Sequence, residues 1–75
     1  MATGERVKQF RMRAGLTQAD LAKRLNVSRQ QVAKWESGIR NPKIDNLRKI
    51  GDALSLNREE RLDLIGMTQG KEESH

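Results

Sequence analysis

Apolar residues recur along this chain at helical spacing almost from end to end, and no stretch alternates as a half-buried strand would. Val7, Phe10 and Ala14 stand at i, i+3 and i+7 with Arg6, Lys8, Gln9 and Arg13 on the other faces, which predicts a first helix over about Glu5–Ala14. Gly15 ends it as a left-handed cap. Thr17 opens a second helix, because its hydroxyl can accept the backbone N–H three residues on while Asp20 reaches back to the N–H of Thr17. Leu21, Ala22 and Leu25 form the inner stripe of that helix. Asn26, Val27 and Ser28 make a sharp turn, in which Asn tolerates the left-handed conformation, and Ser28 with Gln31 forms a second capping box.

A third helix follows over Arg29–Ser37 and closes at Gly38. Val32 and Trp35 share its inner face, with Val27 packing just before it. Arg29, Gln30, Ala33, Lys34 and Ser37 project to the other side, a polar, basic face without an acid. Ile39–Lys43 reads as a loop; Ile44, Leu47, Ile50 and Leu54 mark a fourth helix, and Asn57 with Glu60 caps a short fifth one carrying Leu62 and Ile65. The expected fold is all-α, a compact five-helix bundle filling residues 1–66, with residues 67–75 a polar tail without periodicity that is expected to be frayed or disordered.

Composition narrows the function classes. A chain of 75 residues is at most one domain and buries only about 60% of the surface that its unfolded form exposes, which leaves little room for an enclosed active site. With no cysteine there is no disulfide or thiolate-metal framework. Apolar runs fall far short of the roughly 20 residues that cross a bilayer, and Met1–Arg6 has no apolar stretch of the signal-peptide kind, so the expected compartment is the cytoplasm, with no membrane partner. Residues 1–50 carry twelve Lys/Arg against four Asp/Glu, whereas residues 51–75 carry three against six. A basic end that meets a polyanion and a mildly acidic end with another task fit this division.

Two short helices joined by a tight turn, the second presenting an uncommitted polar face, have the geometry of a helix-turn-helix. The residues from Gly15-Leu16-Thr17-Gln18-Ala19-Asp20-Leu21-Ala22 through Leu25-Asn26-Val27-Ser28 to Val32-Ala33-Lys34-Trp35-Glu36-Ser37-Gly38 closely resemble the phage repressor and Cro family of helix-turn-helix regulators. The resemblance spans about Arg6 to Leu64 and implies a lambda-repressor-like fold and a double-stranded DNA partner. Two positions depart from the family's habit: Asn26 stands where it usually has Gly, and Lys43 where it often has a Ser or Thr cap. The resemblance also implies a pairing of Arg11 with Glu36 between the first and third helices, which makes Glu36 structural rather than catalytic.

Contacts to DNA divide into those that specify and those that position. For base readout the first turns of the third helix offer Arg29, Gln30 and Lys34, with Gln31 and Ala33 secondary: Arg29 suits guanine O6 and N7, Gln30 suits adenine N6 and N7, and the Ala33 methyl can meet a thymine methyl. For phosphates the candidates are Gln18, where the family places such a contact, and Thr17, Ser28, Ser37, Arg40, Asn41 and Lys43. Trp35 shares a face with Val32, which marks it as core rather than a stacking platform.

One such module covers only about 600–1,000 Å² of DNA, so a homodimer on a pseudo-palindromic operator is expected, with half-sites about 34 Å apart. Leu56, Leu64 and Met67 are the candidate subunit contacts, closure of the monomer core being the other use for them. No nucleophile stands beside a base, and no phosphate loop or metal cluster is present; His75 has no partner at ligand spacing, and no enzyme, metal or cofactor is expected. The expected function is therefore sequence-specific DNA binding as a transcriptional regulator, a repressor by preference. The other reading is a protein-interaction adaptor or antitoxin-type module on the same fold.

Overall fold

The computed structural model describes residues 3–69, with side chains to residue 66. Five helices follow one another: α1 (Thr3–Arg13), α2 (Gln18–Leu25), α3 (Arg29–Ser37), α4 (Ile44–Ala53) and α5 (Arg58–Gln69). No strand occurs among the described residues, and no helix there is long and apolar enough to cross a membrane. One core gathers side chains from every helix: Val7 and Phe10, Leu21 and Leu25, Val32 and Trp35, Leu47 and Ile50, and Leu64. Trp35 is fully buried, as its shared face with Val32 predicts.

The helix ends follow local chemistry. Thr17 Oγ1 accepts from Asp20 N at 3.0 Å while Thr17 N donates to Asp20 Oδ2 at 2.9 Å, a complete capping box. Asn57 and Glu60 repeat the arrangement before α5, at 2.8 and 3.0 Å. At Ser28 only half of the expected box forms: its Oγ accepts from Gln31 N at 3.1 Å, without the reciprocal bond. Gly15, Asn26 and Gly38 adopt positive φ, as a left-handed helix end requires, and so does Ser55 between α4 and α5.

Several expectations need correction. The first helix begins at Thr3 rather than Glu5, and it ends before Ala14, which is exposed; its inward stripe is Val7, Phe10 and the charged Arg11. Thr3 and Gly4 are buried, Gly4 against the last turn of α3. A Cβ on Gly4 would stand 2.8 Å from the Glu36 carbonyl oxygen and closer still to that of Trp35, so this helix crossing depends on a residue without a side chain. The fifth helix continues past Gly66, where periodicity in the sequence stops, to Gln69.

The register of α5 also differs. Leu64 points inward and Leu62 is 56% exposed. Arg61 takes the side facing α4: its Nε donates to the Leu56 carbonyl at 2.9 Å, its Nη1 meets Asp52 Oδ1 at 2.9 Å, and its side chain lies over Gly51. Leu56 and Leu64 are only 4% and 1% exposed. Lifting either leucine out for a partner would forfeit about 1.5–3 kcal/mol of burial, so both close the monomer core and are not free subunit contacts. Met67, the third candidate, lies outside the residues whose side chains are described.

The helices at the two ends of the chain are joined by charge. Arg13 grips Glu60 with both terminal nitrogens, at 2.6 and 3.2 Å, and Arg6 meets Asp63 at 3.5 Å. Both guanidiniums lie over the Phe10 ring, 4.7 and 5.0 Å from its centroid. The Arg13 hydrogen bonds, helped by the Asn57 backbone N–H, hold the Glu60 carboxyl down to about 2 from its ordinary 4.5.

Two predictions follow from this packing. Gly4→Ala forces α1 off α3 and should lower stability by about 1–3 kcal/mol, read as a lower urea midpoint; an unchanged midpoint would contradict the close crossing. Because the Glu60 carboxyl is depressed on folding, its contribution is complete above pH 4.5 and fades as pH falls toward about 2. Native chain and Glu60→Gln should therefore differ in thermal midpoint near neutrality and converge near pH 2, whereas a gap independent of pH would exclude the ion pair as its cause.

Candidate nucleic-acid interface

The turn between α2 and α3 is three residues, Asn26–Ser28. Asn26 at φ 59° lets its own N–H return to the Ala22 and Lys23 carbonyls, and the N–H of Val27 returns to Ala22 at 3.0 Å. Asn supplies the positive φ that glycine would otherwise give. The chain thereby reverses within one turn, and Ser28 starts α3 with its side chain already bonded to the helix.

The two sides of α3 have opposite fates. Val32 and Trp35 are fully buried, whereas Arg29, Gln30, Lys34 and Ser37 are exposed and Gln31 and Ala33 are half-buried. All five candidates for base readout thus reach solvent, the first three most openly. After the Gly38 cap, the N–H of Arg40 donates to the Lys34 carbonyl at 3.2 Å, folding the loop back on α3. Pro42 is fully buried and pins the loop, while Arg40, Asn41 and Lys43 around it stay exposed. Lys43 precedes α4 without a side-chain capping bond, as its departure from Ser or Thr implies.

Between Asp20 and Asp45 the chain carries six Lys/Arg and a single acid, Glu36. That acid is buried and paired, so the exposed surface of α3 and its loop is basic without a compensating carboxylate. None of Arg29, Lys34, Arg40 and Lys43 has an ion-pair partner among the described residues. Arg6, Arg11, Arg13 and Arg61, by contrast, all hold acids within the fold.

Glu36 is the hub beneath the interface. Its Oε2 accepts Arg11 Nε at 2.6 Å and its Oε1 accepts Arg11 Nη2 at 3.0 Å, while Arg11 Nη1 donates to the Leu16 carbonyl at 2.7 Å. The hydrogen bond to Glu36 raises the Arg11 pKa above its ordinary value. This is the pairing implied by the family resemblance. A second partner of Glu36 was not foreseen: Gln18 Nε2 donates to Glu36 Oε1 at 3.0 Å. No local signal announces that bond, since the two residues lie on different helices, 18 positions apart. Gln18 is thus half-buried at the start of α2, beside an exposed Thr17 whose hydroxyl accepts from its own helix; Ser37 Oγ donates to the Lys34 carbonyl at 3.2 Å.

The sequence matches the helix-turn-helix family over residues 7–61, most of α1 through the start of α5. It is similar to the HTH-type transcriptional activator BcrR of Enterococcus faecalis, at 35% identity over 100% of this chain and 38% of that protein. It is also similar to the HTH-type transcriptional regulator ImmR of Bacillus subtilis (strain 168), at 35% identity over 69% of this chain and 41% of that protein. The chain spans about two fifths of the length of these curated relatives.

Removing one member of a buried ion pair strands the other. Glu36→Ala, which leaves the Arg11 guanidinium without its carboxylate, should cost about 3–5 kcal/mol of folding stability, measured by denaturant unfolding. A loss below about 1 kcal/mol, the scale of an exposed pair, would show that Arg11 finds water instead.

Proposed function

Since the chain belongs to the helix-turn-helix family, we propose that it binds double-stranded DNA sequence-specifically through α3 in the major groove and regulates transcription. One observation carries this reading: the exposed face of α3, with Arg29, Gln30 and Lys34, is basic, free of acids and without an ion-pair partner among the described residues, while the opposite face is locked into the core. Arg29 and Gln30 stand in the first turn, where a helix entering the groove meets base edges. Arg40, Asn41 and Lys43 follow on a pinned loop and serve as backbone contacts, together with Thr17, Gln18, Ser28 and Ser37. Seated on an operator that overlaps a promoter, such a protein represses by occupancy.

The protein acts in pairs on a pseudo-palindrome, because one module of this size gives limited specificity. With Leu56 and Leu64 enclosed, the subunit contact draws on surface that the monomer leaves open, and Leu62 is the one large apolar side chain that α5 exposes among the described residues. The proposed compartment is the cytoplasm, where the DNA is.

Selection of bound duplexes from a random pool should yield one enriched motif with two-fold symmetry. Affinity for it should fall by orders of magnitude between about 50 and 200 mM salt, as counterions released from phosphates are restored. Replacing Arg29, Gln30 and Lys34 together with Ala should abolish the preference for that motif over random DNA while leaving the thermal melt nearly unchanged. Recovery of no motif, or a triple variant as selective as the native chain, would point instead to an adaptor that docks proteins.

A further inference from the structure

Among the candidate phosphate contacts, Gln18 is the one whose side chain is held by another helix. The hydroxyls of Thr17, Ser28 and Ser37 bond only within their own helices, and the side chains of Arg40, Asn41 and Lys43 form no hydrogen bond among the described residues. Gln18 Nε2 instead donates to Glu36 on α3. A carboxylate only accepts hydrogen bonds, so Glu36 admits the Gln18 amide in a single orientation, nitrogen inward.

The carboxylate is itself immobilised. Both of its oxygens are engaged by Arg11, whose remaining nitrogen is tied to the Leu16 carbonyl in the segment that leads into α2. Position therefore passes from α1 through a buried ion pair to a side chain at the protein surface. An amide nitrogen has two hydrogens, of which Glu36 takes one.

We infer that Glu36 is a positioning residue for DNA binding: it presets the Gln18 amide so that the second N–H faces a phosphate oxygen at the start of α2. The inference rests on the DNA-binding reading above. A glutamine free to rotate loses rotamer freedom when it is fixed on a ligand, whereas this one is already fixed before DNA arrives.

The test uses the full chain and the selected operator. Gln18→Ala should weaken operator binding about tenfold, the range of a hydrogen bond to a charged acceptor. A methylphosphonate walked along the backbone should identify one position that penalises the native chain but not this variant. Arg11→Met with Glu36→Leu replaces the buried pair by apolar side chains of similar size, a change that folds tolerate. This double variant, with an unchanged circular dichroism spectrum, should lose the same factor of about ten and the same phosphate sensitivity, and adding Gln18→Ala to it should cost little more. A folded double variant that binds like the native chain, or in which Gln18→Ala still costs tenfold, overturns the inference.

If the double variant does not fold, side-chain amide NMR of the native chain decides without DNA. The Gln18 NH₂ group should be rigid, with one proton slow to exchange, while that of exposed Gln30 averages freely; equal mobility at the two positions overturns the inference. Failure of the DNA-binding reading is separately visible, because no duplex would then be selected whatever the amide resonances show.

Discussion

A helix of nine residues, α3, is asked to be rigid on one side and uncommitted on the other, and the whole structure is organised around that demand. Isolated helices shorter than about 12–15 residues are marginal in water, so neither its shape nor its direction can come from the segment alone. Val32 and Trp35 anchor it in the core, Ser28 and Gly38 close its ends, and Gly4 lets α1 lie directly on its last turn. Glu36 adds a directional restraint, since its bonds to Arg11 can be met at only one rotation of the helix. Such a pair is a poor source of net stability but a good source of geometry, because any misalignment strands two charges away from water.

The charges are sorted by the same logic. Three acids of α4 and α5 restrain arginines: Asp52 holds Arg61, Glu60 holds Arg13 and Asp63 meets Arg6. These contacts brace the helices against one another, while Arg29 and Lys34 pair with no carboxylate among the described residues. The imbalance between residues 1–50 and 51–75 is thus partly used within the fold, where Asp52, Glu60 and Asp63 brace helices while Arg29, Lys34, Arg40 and Lys43 stay exposed. The loop after α3 extends the open side, because the buried Pro42 fixes the backbone from which Arg40, Asn41 and Lys43 project.

Much of this was legible in the sequence wherever the controlling interactions are local. The bounds of α3, the Thr17 cap, the left-handed Asn26, and the division of α3 into a Val32–Trp35 face and an Arg29–Gln30–Lys34 face all rest on residues within a turn or two of one another. Helical spacing and capping chemistry specify such features without knowledge of the rest of the molecule. Resemblance to phage regulators added the Arg11–Glu36 pair, which periodicity alone would have passed over.

Other features depended on which surfaces meet. Hydrophobicity by itself cannot tell Leu62 from Leu64, since both fit a helical stripe; Leu64 is buried because Arg61, braced on Asp52 and Leu56, sets how α5 rotates against α4. Gly4 looks like a weak helix residue until the carbonyls of Trp35 and Glu36 arrive beside it, and Gln18 looks free until Glu36 does. The order of the helices, their caps and the chemistry of the exposed face of α3 were therefore determined by the sequence, through forces that act within a turn. The rotation of each helix, the enclosure of Leu56 and Leu64 and the hold on Gln18 were decided only in the tertiary structure, because they arise from contacts between helices that the chain brings together only on folding.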